Sequence, residues 1–279
     1  MSHTPAPQPS TESSPRYEMA RNVEKIDFDD DDEYDDKEVT FFEEFIQSTI
    51  AEFFGTFFYV FIACLVVTSG NLYSMAFAEG LAIACLCSAF INISGGMFNP
   101  ALTWAVCLSG GINPLVGVIY FAVQTIAAMA GSGFCKGVLY QYDYQDINGG
   151  STQWRGVVPL DKHDINAELQ VTTLGAIITE TMVCIFIFMV YLQSNMDSKG
   201  KNVTGPLAYG FAVTAGILIG YHASGGSFNP ARSFGSSAIS GFWDEAYIYW
   251  AGPFIGATFA GAFYRLVLGD SSKRLFMKD

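Results

Sequence analysis

Charge is what this 279-residue chain has least of. Only 15% of its residues are Asp, Glu, Lys or Arg, against 51% hydrophobic, a balance too apolar for a soluble domain of this length. The 14 Lys and Arg residues form no dense basic patch, which excludes nucleic acid as a partner. There are three histidines. No nucleophile is paired with a base and no metal constellation is present, so neither an enzyme nor a cofactor is expected. The six cysteines, Cys64, Cys85, Cys87, Cys107, Cys135 and Cys184, lie in or at the edges of apolar stretches. They show no metal-ligand spacing and no loop pair, and read as packing residues rather than a disulfide framework. The first forty residues also lack an apolar h-region, so insertion is expected to depend on the first spanning helix rather than on a cleaved signal.

What charge there is sits at the ends. The formal net charge is −13, and Asp27 to Glu38 alone holds nine acids against Lys37. After a Pro/Ser/Thr-rich start, this self-repelling run predicts a disordered, solvated tail over 1–44. A short basic tail is expected at 271–279.

Between the tails lie six hydrophobic stretches, near 46–68, 73–93, 114–135, 170–192, 206–222 and 246–268. Each suffices for a bilayer core of about 30 Å, which takes about 20 helical residues. Two further apolar pieces of roughly half that length cannot span. Each follows a repeated phrase: Ser94-Gly95-Gly96-Met97-Phe98-Asn99-Pro100-Ala101, and Ser224-Gly225-Gly226-Ser227-Phe228-Asn229-Pro230-Ala231 with Arg232 next. The asparagines are 229 − 99 = 130 residues apart. Asn is a favoured N-cap and Pro suits a first helical turn, so each phrase predicts a helix start. Glu52 and Glu180 recur at a similar offset, 180 − 52 = 128, and an ionisable group inside a spanning helix is a functional candidate. The expected fold is therefore all-α: six transmembrane helices plus two re-entrant half-helices in an inverted two-fold repeat, with repeat one near 45–135 and repeat two near 168–270. Irregular backbone at membrane depth must face protein or a water-filled cavity, so both phrases should line one.

Orientation follows from the short loops. Lys199 and Lys201 lie between spans four and five, and Arg265, Lys273, Arg274 and Lys278 lie at or beyond the end of span six; the positive-inside rule makes that side cytoplasmic. Both termini are then cytoplasmic and the loop 136–169 lies outside. Asn202-Val203-Thr204 matches a glycosylation sequon but falls on the cytoplasmic side, so it should be unmodified. His222, near the second phrase, reads as a hydrogen-bonded loop residue rather than a pH sensor. His163 and the Tyr-rich loop 140–144 carry no recognisable chemistry.

Taken together, the two Asn-Pro-Ala boxes, the paired glutamates, Arg232, Gly205-Pro206 and Trp250-Ala251-Gly252-Pro253 resemble the aquaporins, the major intrinsic proteins, over about 45–279. Asn92-Ile93-Ser94-Gly95-Gly96, Gly205-Pro206-Leu207-Ala208, Gly210-Phe211-Ala212-Val213-Thr214 and Gly269-Asp270-Ser271-Ser272-Lys273-Arg274-Leu275 are most similar to the eight-type, or aquaammoniaporin, branch. That resemblance implies a passive water channel that also carries ammonia and hydrogen peroxide, excludes ions and protons, and assembles as a homotetramer in a plasma or intracellular membrane. It implies that Asn99, Pro100, Ala101, Asn229, Pro230 and Ala231 meet at the centre, and that Glu79, Ile217, Gly226 and Arg232 form the selectivity filter. Glu79 departs from the pattern, since the branch usually has His there. It either pairs with Arg232 across the filter or turns away to nearby backbone. Glu52 and Glu180 are expected to hold the loops behind the boxes. Glycerol fits less well, because the glycerol-conducting branch carries Asp where this chain has Ser233. Competing readings are a solute facilitator with little water flux, a closed-pore structural or adhesion member of the family, and a coupled transporter.

Overall fold

The computed structural model describes residues 40–154, 157–159, 168–269 and 274–276. The acidic run Asp27–Glu38 and most of the basic C-terminal tail lie outside the described residues. Six long helices account for the spanning stretches: α1 (Phe42–Ser69), α2 (Leu72–Ser94), α4 (Pro114–Val138), α6 (Thr173–Met196), α7 (Gly205–Ser224) and α9 (Ile248–Leu268). The first begins at Phe42, so residues 42–44, expected in the tail, are helical. Two short helices, α3 (Pro100–Ser109) and α8 (Pro230–Ser240), follow the repeated phrases. At 10 and 11 residues they run about 15 Å each, half the thickness of a bilayer core.

Local chemistry explains the ends. Asn99 and Asn229 sit in extended backbone as N-caps, and each side-chain oxygen accepts two backbone N–H groups of the first turn, with Pro next in line. Both helices stop at a left-handed glycine, Gly110 and Gly241, where only a residue lacking Cβ is unstrained. Asn71, Asn113 and Thr172 cap α2, α4 and α6 in the same manner. The long connection after α4 holds a short helix α5 (Gln141–Asp146), a 3₁₀ turn (Asn148–Gly150) and a two-stranded ribbon, β1 (Val157–Pro159) and β2 (Glu168–Gln170). The strands pair antiparallel, with Val158 opposite Leu169. That ribbon is the one departure from an all-helical pattern among the described residues.

Packing repeats with the sequence. Helix α1 packs on α2 and α4, and α6 packs equivalently on α7 and α9, while α2 and α7 pack on each other. Each half-helix leans on the third long helix of the other repeat, α3 on α9 and α8 on α4. The α2–α7 contact brings backbones together at Gly80 and Gly210, where a Cβ on either would fall 2.6 or 2.4 Å from the other's carbonyl oxygen. Phe54, Phe58, Ile178, Met182, Ile255 and Phe259 point outward and are exposed, the pattern of helices that meet lipid.

Candidate functional site

The two half-helix tips meet inside the bundle. Asn99 Nδ2 donates to the Phe228 carbonyl and Asn229 Nδ2 donates to the Phe98 carbonyl, both at 2.9 Å. Each asparagine thus caps its own helix through Oδ1 and ties the opposite loop through one amide hydrogen, leaving its second amide hydrogen uncommitted to that bond. Phe98 and Phe228 both take positive φ, 50° and 56°, an uncommon state for a bulky residue that needs support from its surroundings.

That support comes from the two buried glutamates. Glu52 accepts from Met97 N (2.9 Å), Phe98 N (2.8 Å), the Ser94 hydroxyl (2.8 Å) and Gln124 Nε2 (2.8 Å). Glu180 accepts from Ser227 N (3.1 Å), Phe228 N (2.8 Å) and the Ser224 hydroxyl (2.7 Å). Tyr120 and Tyr249 donate to the Ser94 and Ser224 carbonyls. The backbone of both loops is therefore held by side chains rather than by a helix ladder, which satisfies polar groups that burial would otherwise penalise.

A cavity of about 650 Å³ opens on the side of the bundle carrying the connection between α4 and α6, and Glu79, Ile217, Gly226 and Arg232 stand together in its wall. Arg232 is 5% exposed. Its Nη1 donates to the Gly150 carbonyl (2.7 Å) and Thr152 Oγ1 (2.8 Å), and its Nη2 to the Ala63 carbonyl (3.3 Å) and Glu79 Oε1 (3.4 Å). The other Glu79 oxygen accepts from the Tyr59 hydroxyl at 3.0 Å. Of the two orientations open to Glu79, the side chain takes the ion pair, and its partners are side chains rather than backbone. Thr152 continues to Ser233 (2.8 Å) and Ser233 to Ser227 (2.6 Å), so the arginine is connected to the second box through hydroxyls. A second cavity of about 10 Å³, lined by Asn99, Asn229, Tyr59, Tyr209, Ser227, Phe228 and aliphatic side chains, sits at the joined tips. That is room for about one water.

All twelve candidate residues fall into this one assembly. No motif marks Tyr59, Gln124 or Thr152. Tyr59 lies seven residues after Glu52 on one helical face, a recoverable signal, and Ser94 and Ser224 open the repeated phrases. Gln124 and Thr152 carry no such signal, since only folding brings them to their partners. His222 is exposed at the rim of the wide cavity, with its ring 5.5 Å from that of Tyr221. Among the described residues no group of His, Cys, Asp and Glu is arranged to hold a metal ion, and the six cysteines are free.

The family model "Major intrinsic protein" matches residues 40–264. Aquaporin-8 of Notomys alexis is 31% identical over 245 residues, covering 86% of this chain and 89% of that one, and aquaporin-8 of Rattus norvegicus matches to the same extent. Aquaporin-4 of Homo sapiens is 36% identical over 190 residues, covering 67% of this chain and 54% of its own length. Among solved structures, the aquaglyceroporin from Plasmodium falciparum superposes with a TM-score of 0.65 over 80% of this chain and 96% of that chain; at 18% identity it speaks for the fold alone. With six apolar helices, two half-helices and a match over most of its length, the chain is an integral, multi-pass membrane protein of the major intrinsic protein family, an aquaporin-type channel similar to aquaporin-8.

Proposed function

We propose that this chain forms a passive single-file channel for water that also passes ammonia and hydrogen peroxide and turns back ions and protons. The observation that carries the reading is the pair of carboxamides at the joined tips. Each spends one N–H on the facing loop carbonyl and keeps the other for a solute in transit. Both half-helices aim their N-termini at this point, and the partial positive charge there disfavours a cation while accepting the oxygen of a neutral dipole. Pro100 and Pro230 start those helices without a wasted donor, and Ala101 and Ala231 let the tips approach.

At the wide mouth Arg232 supplies rigid donors, held in place by Gly150, Thr152 and Glu79; the ion pair with Glu79 softens its own barrier to cations, which leaves the half-helix tips as the main one. The aliphatic side chain of Ile217 and the absence of one at Gly226 leave that constriction wider than an aromatic would, which suits ammonia and peroxide as cargo. Glu52 and Glu180 position the loops and touch no solute. Ser233 is engaged with Thr152 and Ser227, and no carboxylate follows the arginine to receive a polyol. Assembly as a homotetramer with cytoplasmic termini follows from the resemblance and the Lys/Arg bias. Stopped-flow light scattering on proteoliposomes, with water, ammonia, hydrogen peroxide and glycerol compared on one preparation, tests the whole reading. Fast protein-dependent movement of the first three and slow glycerol is expected; water flux no faster than in empty vesicles would overturn it.

A further inference from the structure

The two-fold repeat that builds the Arg232 constriction builds a second set in the opposite half. The 130-residue offset of the boxes carries Glu79, Ile217, Gly226 and Arg232 onto Tyr209, Cys87, Gly96 and Leu102. The match is physical as well as numerical, because Gly96 faces Cys87 as Gly226 faces Ile217. The second set differs in kind: an arginine has become a leucine, and an acid has become a tyrosine whose hydroxyl is the only hydrogen-bonding side-chain group among oxygen and nitrogen donors. Tyr209 is 1% exposed and lines the small cavity beside Asn99 and Asn229. Its hydroxyl donates to the Met97 carbonyl at 3.1 Å. Behind it Tyr191 donates to the Gly95 carbonyl at 2.6 Å, and the two rings meet edge to face at 5.1 Å. In the second loop Ser227 stands where Met97 stands in the first, and its hydroxyl serves Asn229 and Ser233.

We propose that Tyr209 is a second specificity-determining residue, an inner constriction that occupies the Met97 carbonyl and admits only solutes of about one water's size, excluding polyols. This rests on the channel reading above. A solute leaving the Asn pair needs an acceptor to replace the partners it gives up, because an unpaired polar group in an apolar site is costly. The Met97 carbonyl, two residues before Asn99, lies next to the part of the small cavity's wall that Tyr209 forms, and the phenol already holds one of its lone pairs. The ring meanwhile fills the width that a larger molecule would need. Tyr191 braces the ring and fixes the loop without lining the small cavity.

Unit water permeability of proteoliposomes holding equal amounts of folded wild-type, Tyr209→Phe and Tyr191→Phe protein tests this, with glycerol uptake measured alongside for Tyr209→Leu and Tyr209→Ala. Freeing the carbonyl should raise water permeability of Tyr209→Phe by roughly two- to tenfold, the rate equivalent of one net hydrogen bond. Tyr191→Phe should change it less, and the smaller side chains should open glycerol uptake. A purely structural role would lower flux and thermal stability together in Tyr209→Phe. Water permeability unchanged or reduced in that variant, with glycerol still excluded by Tyr209→Leu, would overturn the inference while leaving the channel reading intact. Wild-type water flux no faster than in empty vesicles would overturn both readings.

Discussion

Asn229 shows how one side chain serves two masters. Its Oδ1 caps α8 through Ala231 N (3.0 Å) and Arg232 N (3.3 Å), and its Nδ2 reaches the Phe98 carbonyl. Aspartate would keep the cap and even suit the helix dipole, but it would turn an oxygen toward an oxygen and bring charge to the tips. Losing such a buried bond costs about 1–3 kcal/mol, equivalent to roughly 5- to 150-fold in a rate. Asn229→Asp should therefore cut water permeability into that range at equal folded protein, read by stopped-flow light scattering; permeability within twofold of wild type would remove Asn229 from the conduction path. The repeated phrase makes the asparagines visible in the sequence. The tie from each to the other's loop is not visible, since it joins residues 98 and 229, which share no local pattern.

Half-helices too short to span stay folded because longer elements grip both ends. At the tips the glutamates of α1 and α6 hold the loop N–H groups. At the far ends cations do the work: Arg265 Nη1 donates to the Ser109 carbonyl at 2.9 Å and Lys136 Nζ to the Ile239 carbonyl at 3.5 Å. Each cation comes from the third helix of the opposite repeat and meets the negative end of a helix dipole. The glutamate grips are unequal, because Glu52 has Gln124 as a fourth donor and Glu180 has no counterpart. Glu180→Gln would set an NH2 against loop N–H donors and leave at least one of them unpaired, at about 1–3 kcal/mol. A fall in thermal midpoint together with lost water flux is expected for this variant. A midpoint equal to wild type, measured by scanning fluorimetry in detergent, would show that the carboxylate does not hold the loop. The period and length of each helix are written in the apolar runs and their caps. The short ribbon β1–β2 is not, since its three-residue strands sit in a loop without alternation.

The whole molecule stays together without covalent staples. The six cysteines are free, and Cys64, Cys87, Cys135 and Cys184 are buried, so packing of the two repeats carries the fold. Millimolar reductant should leave both thermal midpoint and water permeability unchanged; a drop in either would reveal a disulfide. Sequence alone determined the six spans, the duplicated half-helices and the residues at their tips, because hydrophobic length, capping chemistry and a 130-residue repeat are local or periodic properties of the chain. Only tertiary structure decided that Glu79 faces Arg232, that Gly150 and Thr152 complete the arginine's partners, and that the Tyr209 hydroxyl reaches the Met97 carbonyl. Those contacts join residues separated by 80 to 153 positions, and no local rule of spacing reaches so far: they exist because helices packed face to face carry distant side chains to one axis.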